Sequence, residues 1–97
     1  MTTVFKALSD DTRRQILKLL AEGDMTAKEI AENFTISKPA ISKHLDVLKE
    51  AELVTSERTG MSVTYSLNAS VLQTTLGAFL AFFDNHHATV KEELEDV

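Results

Sequence analysis

The segment from Thr26 to Leu53, TAKEIAENFTISKPAISKHLDVLKEAEL, carries two helix starts with a link of only TIS between the helices. Thr26 followed by Glu29 has the spacing of a capping box, in which side chain and backbone N–H satisfy each other across one turn. Ser37 is a second N-cap, and Pro39 falls in the first turn it opens, where a missing N–H costs nothing. The first helix turns Ile30 and Phe34 inward, with small Ala31 between them where another helix can approach closely. The second repeats Ile41, Leu45 and Leu48 at i, i+4 and i+7, a single buried stripe.

The flanking elements follow in close succession, without a repeat or a Gly/Pro/Ser-rich linker. A short helix over about residues 3–8 presents Val4, Phe5 and Leu8 on one side. SDDTRRQILKLLAEGD then reads as a helix with Asp10 or Asp11 as N-cap, a stripe at Ile16, Leu17 and Leu20, and Gly23 as stop. After Ala51 the period changes from helical to alternating. In LVTSERTGMSVTYSL, Val63, Tyr65 and Leu67 point one way and Ser62, Thr64 and Ser66 the other, with Gly60 at a hairpin tip. A last helix begins at about residue 70. Leu72, Leu76, Phe79 and Phe83 form one stripe on it, and Val71, Leu80 and Phe82 lie off that stripe. Four helices, a β-hairpin wing and a fifth helix make a mainly α (α+β) winged helix-turn-helix. Residues 1–97 form one such domain, and the acidic end, 84–97, is a candidate for fraying.

Ninety-seven residues suit one domain near the lower end of what a single core stabilises. The absence of cysteine excludes disulfides, thiolate metal ligands and a thiol redox sensor. The start, MTTVFKALSDD, lacks the apolar core of a secretion signal. The longest apolar run, LGAFLAFF, is far short of the roughly 20 residues a membrane span requires. A cytoplasmic protein without membrane insertion is expected. The net charge is −5, but residues 84–97 hold five acids against Lys91 alone, so the body is near neutral. A local cationic face is compatible with that balance.

Such a face is present. From Ser37 to His44 the chain has two lysines, a histidine, two serines and no acid; Asp46 and Glu50 come later. At about 100° per residue from Ile41, Ser42 lies near 100°, Pro39 near 160°, Lys43 near 200° and Ala40 near 260°. These residues face outward, and Lys38 projects from the tip. In a helix-turn-helix the second helix lays its N-terminal residues against base edges in the major groove. Hydroxyls and lysines there can donate to phosphates and guanine acceptors, and Ala40 can touch a thymine methyl. His44, near 300°, borders the buried stripe; it either bonds a phosphate or packs beside the turn. Arg13 and Arg14 read better as partners of a nearby acid than as DNA contacts.

The stretches VFKALSDDTRRQILKLL, TAKEIAENFTISKPAISKHLDVLKEAELV and YSLN together resemble the ArsR family of bacterial winged-helix repressors, and within it the SdpR-like autorepressors. The resemblance covers roughly residues 4–83. It implies a homodimer paired through its first and last helices, repressing transcription at an inverted-repeat operator, with autoregulation in the SdpR-like case. It places the recognition helix at Ser37, Lys38, Pro39, Ser42, Lys43 and His44, and the wing at residues 57–64. The candidate DNA-contacting set is therefore Thr26, Ser37, Lys38, Pro39, Ala40, Ser42, Lys43, His44, Arg58, Thr59, Gly60, Ser62 and Thr64. Two positions depart from the family pattern. Asp11 stands where proline is usual, and Met61 stands where many members have arginine after the wing glycine, which leaves Arg58 as the wing's only cation.

Phenylalanines on several sides of the last helix cannot all reach one small core, so pairing with a second copy is expected. The candidate dimer surface comprises Val4, Phe5, Leu8, Val71, Leu72, Leu76, Phe79, Leu80, Phe82 and Phe83. Family metal sites use cysteines in the third helix, absent here, or an Asp-x-His pair on the last helix completed further on. Asp84 and His86 match the pair, but the completing position falls on Val97, and His87 does not share the face of His86. No metal or other cofactor is expected. A protein effector is an option that the resemblance leaves open. The alternative function is a winged-helix module that binds protein without specific DNA binding, supported by the overall acidity and by Met61. No nucleophile–base spacing, phosphate loop or paired carboxylates points to an enzyme.

Overall fold

The computed structural model describes the backbone of residues 2–95 and the side chains of residues 2–84. Helix α1, Thr2–Leu8, leads through a two-residue turn into α2, Asp11–Glu22. Asp10 is the N-cap of α2, its carboxylate accepting the Arg13 N–H at 3.1 Å. Gly23 ends α2 where expected, in extended backbone open to any residue. Strand β1, Met25–Thr26, precedes α3, Ala27–Ala31, and the capping box is closed in both directions. The Thr26 hydroxyl accepts the Glu29 N–H at 3.2 Å, and Glu29 accepts the Thr26 N–H at 3.0 Å.

Helix α4, Lys38–Glu50, starts at the Ser37 cap, whose hydroxyl accepts the Ala40 N–H at 3.3 Å. Its far end is a Schellman turn. The Leu53 N–H bonds the Leu48 carbonyl at 3.0 Å and the Glu52 N–H bonds Lys49 at 2.9 Å. Glu52 sits in the left-handed region, φ 62, where glycine is usual. Leu48 and Leu53, the apolar pair that accompanies this turn, are both fully buried.

Strands β2, Val54–Thr59, and β3, Ser62–Leu67, pair antiparallel from Val54 opposite Leu67 to Thr59 opposite Ser62. The loop between them is Gly60–Met61, with Gly60 at φ 64 supplying the positive φ that a tight hairpin needs. Strand β1 adds to the other side of β3, Met25 opposite Tyr65 and Thr26 opposite Thr64, giving the order β1-β3-β2. The sequence pattern did not indicate β1. Its central position leaves β3 with Thr64 and Ser66 half-covered, so the expected alternation is blunted. Helix α5 spans Ala69–Glu95.

The core joins Val4 and Ala7 of α1, Ile16, Leu17 and Leu20 of α2, Ile30 of α3, Ile41, Leu45 and Leu48 of α4, then Ala51, Leu53 and Val54. All three stripe residues of α4 are at most 1% exposed, so the helix is fixed in its rotation about its axis. Phe34, Tyr65, Leu67, Val71 and Leu72 pack around this centre.

Candidate nucleic-acid interface

Fixing Ile41, Leu45 and Leu48 inward dictates what α4 turns outward. Ser37, Lys38, Pro39, Ser42 and Lys43 are exposed, and Ala40 is half-buried. Neither Lys38 nor Lys43 is in an ion pair with the described residues, so both ammonium groups are available to an external anion. The positive end of the α4 backbone lies among them. Ser37 uses its oxygen as the cap, which leaves its O–H free to donate.

His44 is drawn toward α2. Its Nδ1 lies 3.3 Å from Nη1 of Arg13 and 3.8 Å from Oδ2 of Asp10. Among the described residues the Arg13 side chain makes no carboxylate pair, unlike the sequence reading. Its Nε donates to the Ala7 carbonyl at 2.7 Å and Nη2 to Lys6 at 3.1 Å. Arg14 adds a bond to the Leu8 carbonyl at 2.7 Å, beside an exposed pair with Asp11 at 3.5 Å. The two guanidiniums thus satisfy the Ala7 and Leu8 carbonyls at the end of α1, and Arg13 adds a bond to Lys6, whose carbonyl also accepts from the Ser9 N–H and hydroxyl. Asp10 is held below the ordinary carboxylate range, first by the Arg13 backbone N–H and then by the charge of the nearby Arg13 guanidinium. The Thr26 N–H and hydroxyl do the same for Glu29.

Thr26 and Thr64 face each other across β1 and β3 and are half-buried, whereas Arg58, Thr59, Gly60 and Ser62 are exposed at the wing. Met61 is fully exposed at the tip. Lys28, absent from the candidate set, belongs beside it. This exposed lysine of α3 lines a cleft of about 190 Å³ with Lys38 and Ser42. It also lines one of about 410 Å³ with Thr26 and the wing residues Met61 and Ser62. The sequence signal was there, a lysine two residues after an N-cap, but only the packing of α3 against α4 and β3 joins it to the others.

The candidate dimer residues divide. Val4 is buried within the chain, and Leu8, Val71 and Leu72 are half-buried against its core. Phe5 packs at a tilt of 59° against Phe79 with ring centroids 4.9 Å apart, and Phe79 meets Phe83 edge-on at 4.8 Å. Leu76, Leu80, Phe82 and Phe83 remain exposed, Leu80 by 62% and Phe83 by 51%. Of the metal reading, Asp84 is exposed, and the side chains of His86 and His87 lie outside the described residues. No cluster of three ligating groups occurs among the described residues, and no helix there is long and apolar enough to cross a membrane.

Residues 10–56, from the cap of α2 through α4 into β2, match the model of the arsR family of bacterial regulatory proteins. The chain is 55% identical to the transcriptional repressor SdpR of Bacillus subtilis over 84 residues, 87% of this chain and 93% of the repressor. The chain belongs to the ArsR family. The fold agrees. A crystal structure of an ArsR family transcriptional regulator superposes with a TM-score of 0.84 at 28% identity, covering 90% of this chain and 94% of that one. The homodimeric winged helix-turn-helix DNA-binding domain of Mb0332 from Mycobacterium bovis gives 0.68 at 30%, covering 89% and 82%. ArsR-family proteins are DNA-binding transcriptional regulators and not enzymes.

Proposed function

We propose that the protein is a homodimeric, sequence-specific repressor that binds an inverted-repeat operator, including one upstream of its own gene. The observation that carries this is the acid-free start of α4, residues 37–44, with Lys38 and Lys43 exposed and in no ion pair with the described residues, on a helix locked into the core by its opposite side. Lys43 and Ser42 read base edges, Ser37 and Lys38 hold phosphate at the helix start, and Lys28 and Arg58 add phosphate contacts from α3 and the wing. The exposed leucines and phenylalanines of α5 pair with a second copy, which sets two recognition helices against one duplex about one turn apart or a multiple of it. The 55% identity to a transcriptional repressor and the homodimeric Mycobacterium bovis domain support the same reading. The protein acts in the cytoplasm, where the operator is.

Binding to the upstream duplex across a salt series tests this. Several phosphate contacts make log affinity fall steeply with log salt, and Lys43→Ala weakens the operator complex by about 1–3 kcal/mol while changing preference at one base pair. Uniform weakening on all sequences would make Lys43 a phosphate contact instead. The fully exposed Met61 supports one alternative, a wing that docks on protein. In that case Lys38 and Lys43 substitutions leave function intact and Met61 substitutions abolish it.

A further inference from the structure

One guanidinium joins three helices. Arg13 stands on α2, holds the Lys6 and Ala7 carbonyls at the end of α1, and brings Nη1 to 3.3 Å from Nδ1 of His44 on α4. Arginine remains protonated and offers donors only. A hydrogen bond at that distance therefore requires Nδ1 to accept, and the neutral ring then carries its proton on Nε2. The competing arrangement, Nδ1–H toward Asp10, is opposed by geometry. Asp10 Oδ2 is 3.8 Å away, beyond hydrogen-bond range, and already takes the Arg13 N–H at 3.1 Å. With Nδ1 turned to α2, Nε2 diverges from it, on a side chain that is 21% exposed and next in angle to Ala40 on the outer face of α4.

We propose that Arg13 is a positioning residue for DNA binding: it holds His44 as the Nε2–H tautomer, so that this N–H donates to a phosphate oxygen of the operator. The inference rests on the repressor reading and extends it. It gives the recognition helix a link to α1, since the guanidinium that orients the His44 ring is anchored on the α1 carbonyls. Arg13 itself touches no DNA.

Long-range proton–nitrogen NMR of the imidazoles in the full, DNA-free protein above neutral pH tests the first half, with His44 assigned by its loss in His44→Gln. The expected pattern is a protonated Nε2 and a bare Nδ1. A proton on Nδ1 would overturn the proposal. The second half is tested on a duplex selected from a random pool, with Arg13→Gln, His44→Ala and the double variant, each checked for folding by thermal unfolding. Each single change is expected to weaken binding roughly tenfold, the scale of a charged hydrogen bond, and the double change no further than the worse single one. Additive losses would show that Arg13 does not act through His44. Should Arg13→Gln fail to fold, His44→Ala decides: an unchanged affinity would overturn the proposal, as would a salt slope lower by about one phosphate per subunit, the mark of a charged imidazole, whereas a roughly tenfold loss at an unchanged slope supports it. If the wild-type protein selects no duplex, the repressor reading has failed, whereas the tautomer result still stands as a separate observation.

Discussion

Glu52 holds φ 62 between α4 and β2, so Glu52→Gly isolates a backbone effect with few side-chain consequences. The Glu52 side chain is exposed and makes no hydrogen bond or ion pair with the described residues, so truncating it forfeits no contact. A Cβ in the left-handed region costs roughly 1–2 kcal/mol. Glycine removes that strain but frees the unfolded chain, which offsets about 0.4–1 kcal/mol. The balance is a gain of about 1 kcal/mol, with both Schellman hydrogen bonds retained. Urea unfolding at fixed protein concentration should show a higher midpoint with an unchanged slope, and Tm should rise by roughly 4–8 °C. Glu52→Ala is the control, because it removes the charge but keeps the Cβ; it should shift stability by less than about 0.5 kcal/mol. If alanine stabilises as much as glycine, the effect is electrostatic and the strain argument is wrong. If glycine destabilises, the junction depends on the glutamate in a way the structure does not contain.

Other consequences follow from particular side chains. Ser37→Asp keeps an N-cap acceptor but sets an anion where phosphate should lie; thermal stability should stay within about 0.5 kcal/mol while operator affinity falls more than about tenfold. Leu80→Glu alters a residue that the chain's own core does not need, so sedimentation equilibrium should find a folded monomer with much weaker operator binding. The carboxyls of Asp10 and Glu29 are held below their ordinary values of 3.8 and 4.5, so their contribution is complete above those values. It is lost as pH falls through the lowered values of the folded state, because the unfolded chain then binds protons more readily. The urea midpoint should drop on acidification from about pH 6 to about pH 3, and Asp10→Asn with Glu29→Gln should flatten that drop.

The helix-turn-helix was legible because its signals are local. Thr26, Glu29, Ser37 and Pro39 announce two helix starts, and the spacing of Ile41, Leu45 and Leu48 fixes which face of α4 is buried. Strand β1 was not legible. Two residues carry no period, and Met25–Thr26 become a strand only because β3 offers an open edge from far along the chain. Glu52 gave no sign of a left-handed turn, since glutamate has no preference for one; the apolar pair Leu48 and Leu53 sets that turn. Arg13 was matched in sequence to acids, yet its partners are backbone carbonyls and a histidine 31 positions away. Carbonyl partners have no residue signature. Lys28 was overlooked for a similar reason, because its neighbours Lys38, Ser42 and Ser62 come from other elements.

The central claim is that the cationic start of α4 reads sequence in the wide groove of a duplex. Its most direct test is the ratio of dissociation constants for a duplex recovered from a random pool and for the same duplex scrambled, both at about 0.15 M salt. A reader of base edges should prefer the recovered duplex by at least about a thousandfold. Equal affinity for the two would contradict the account.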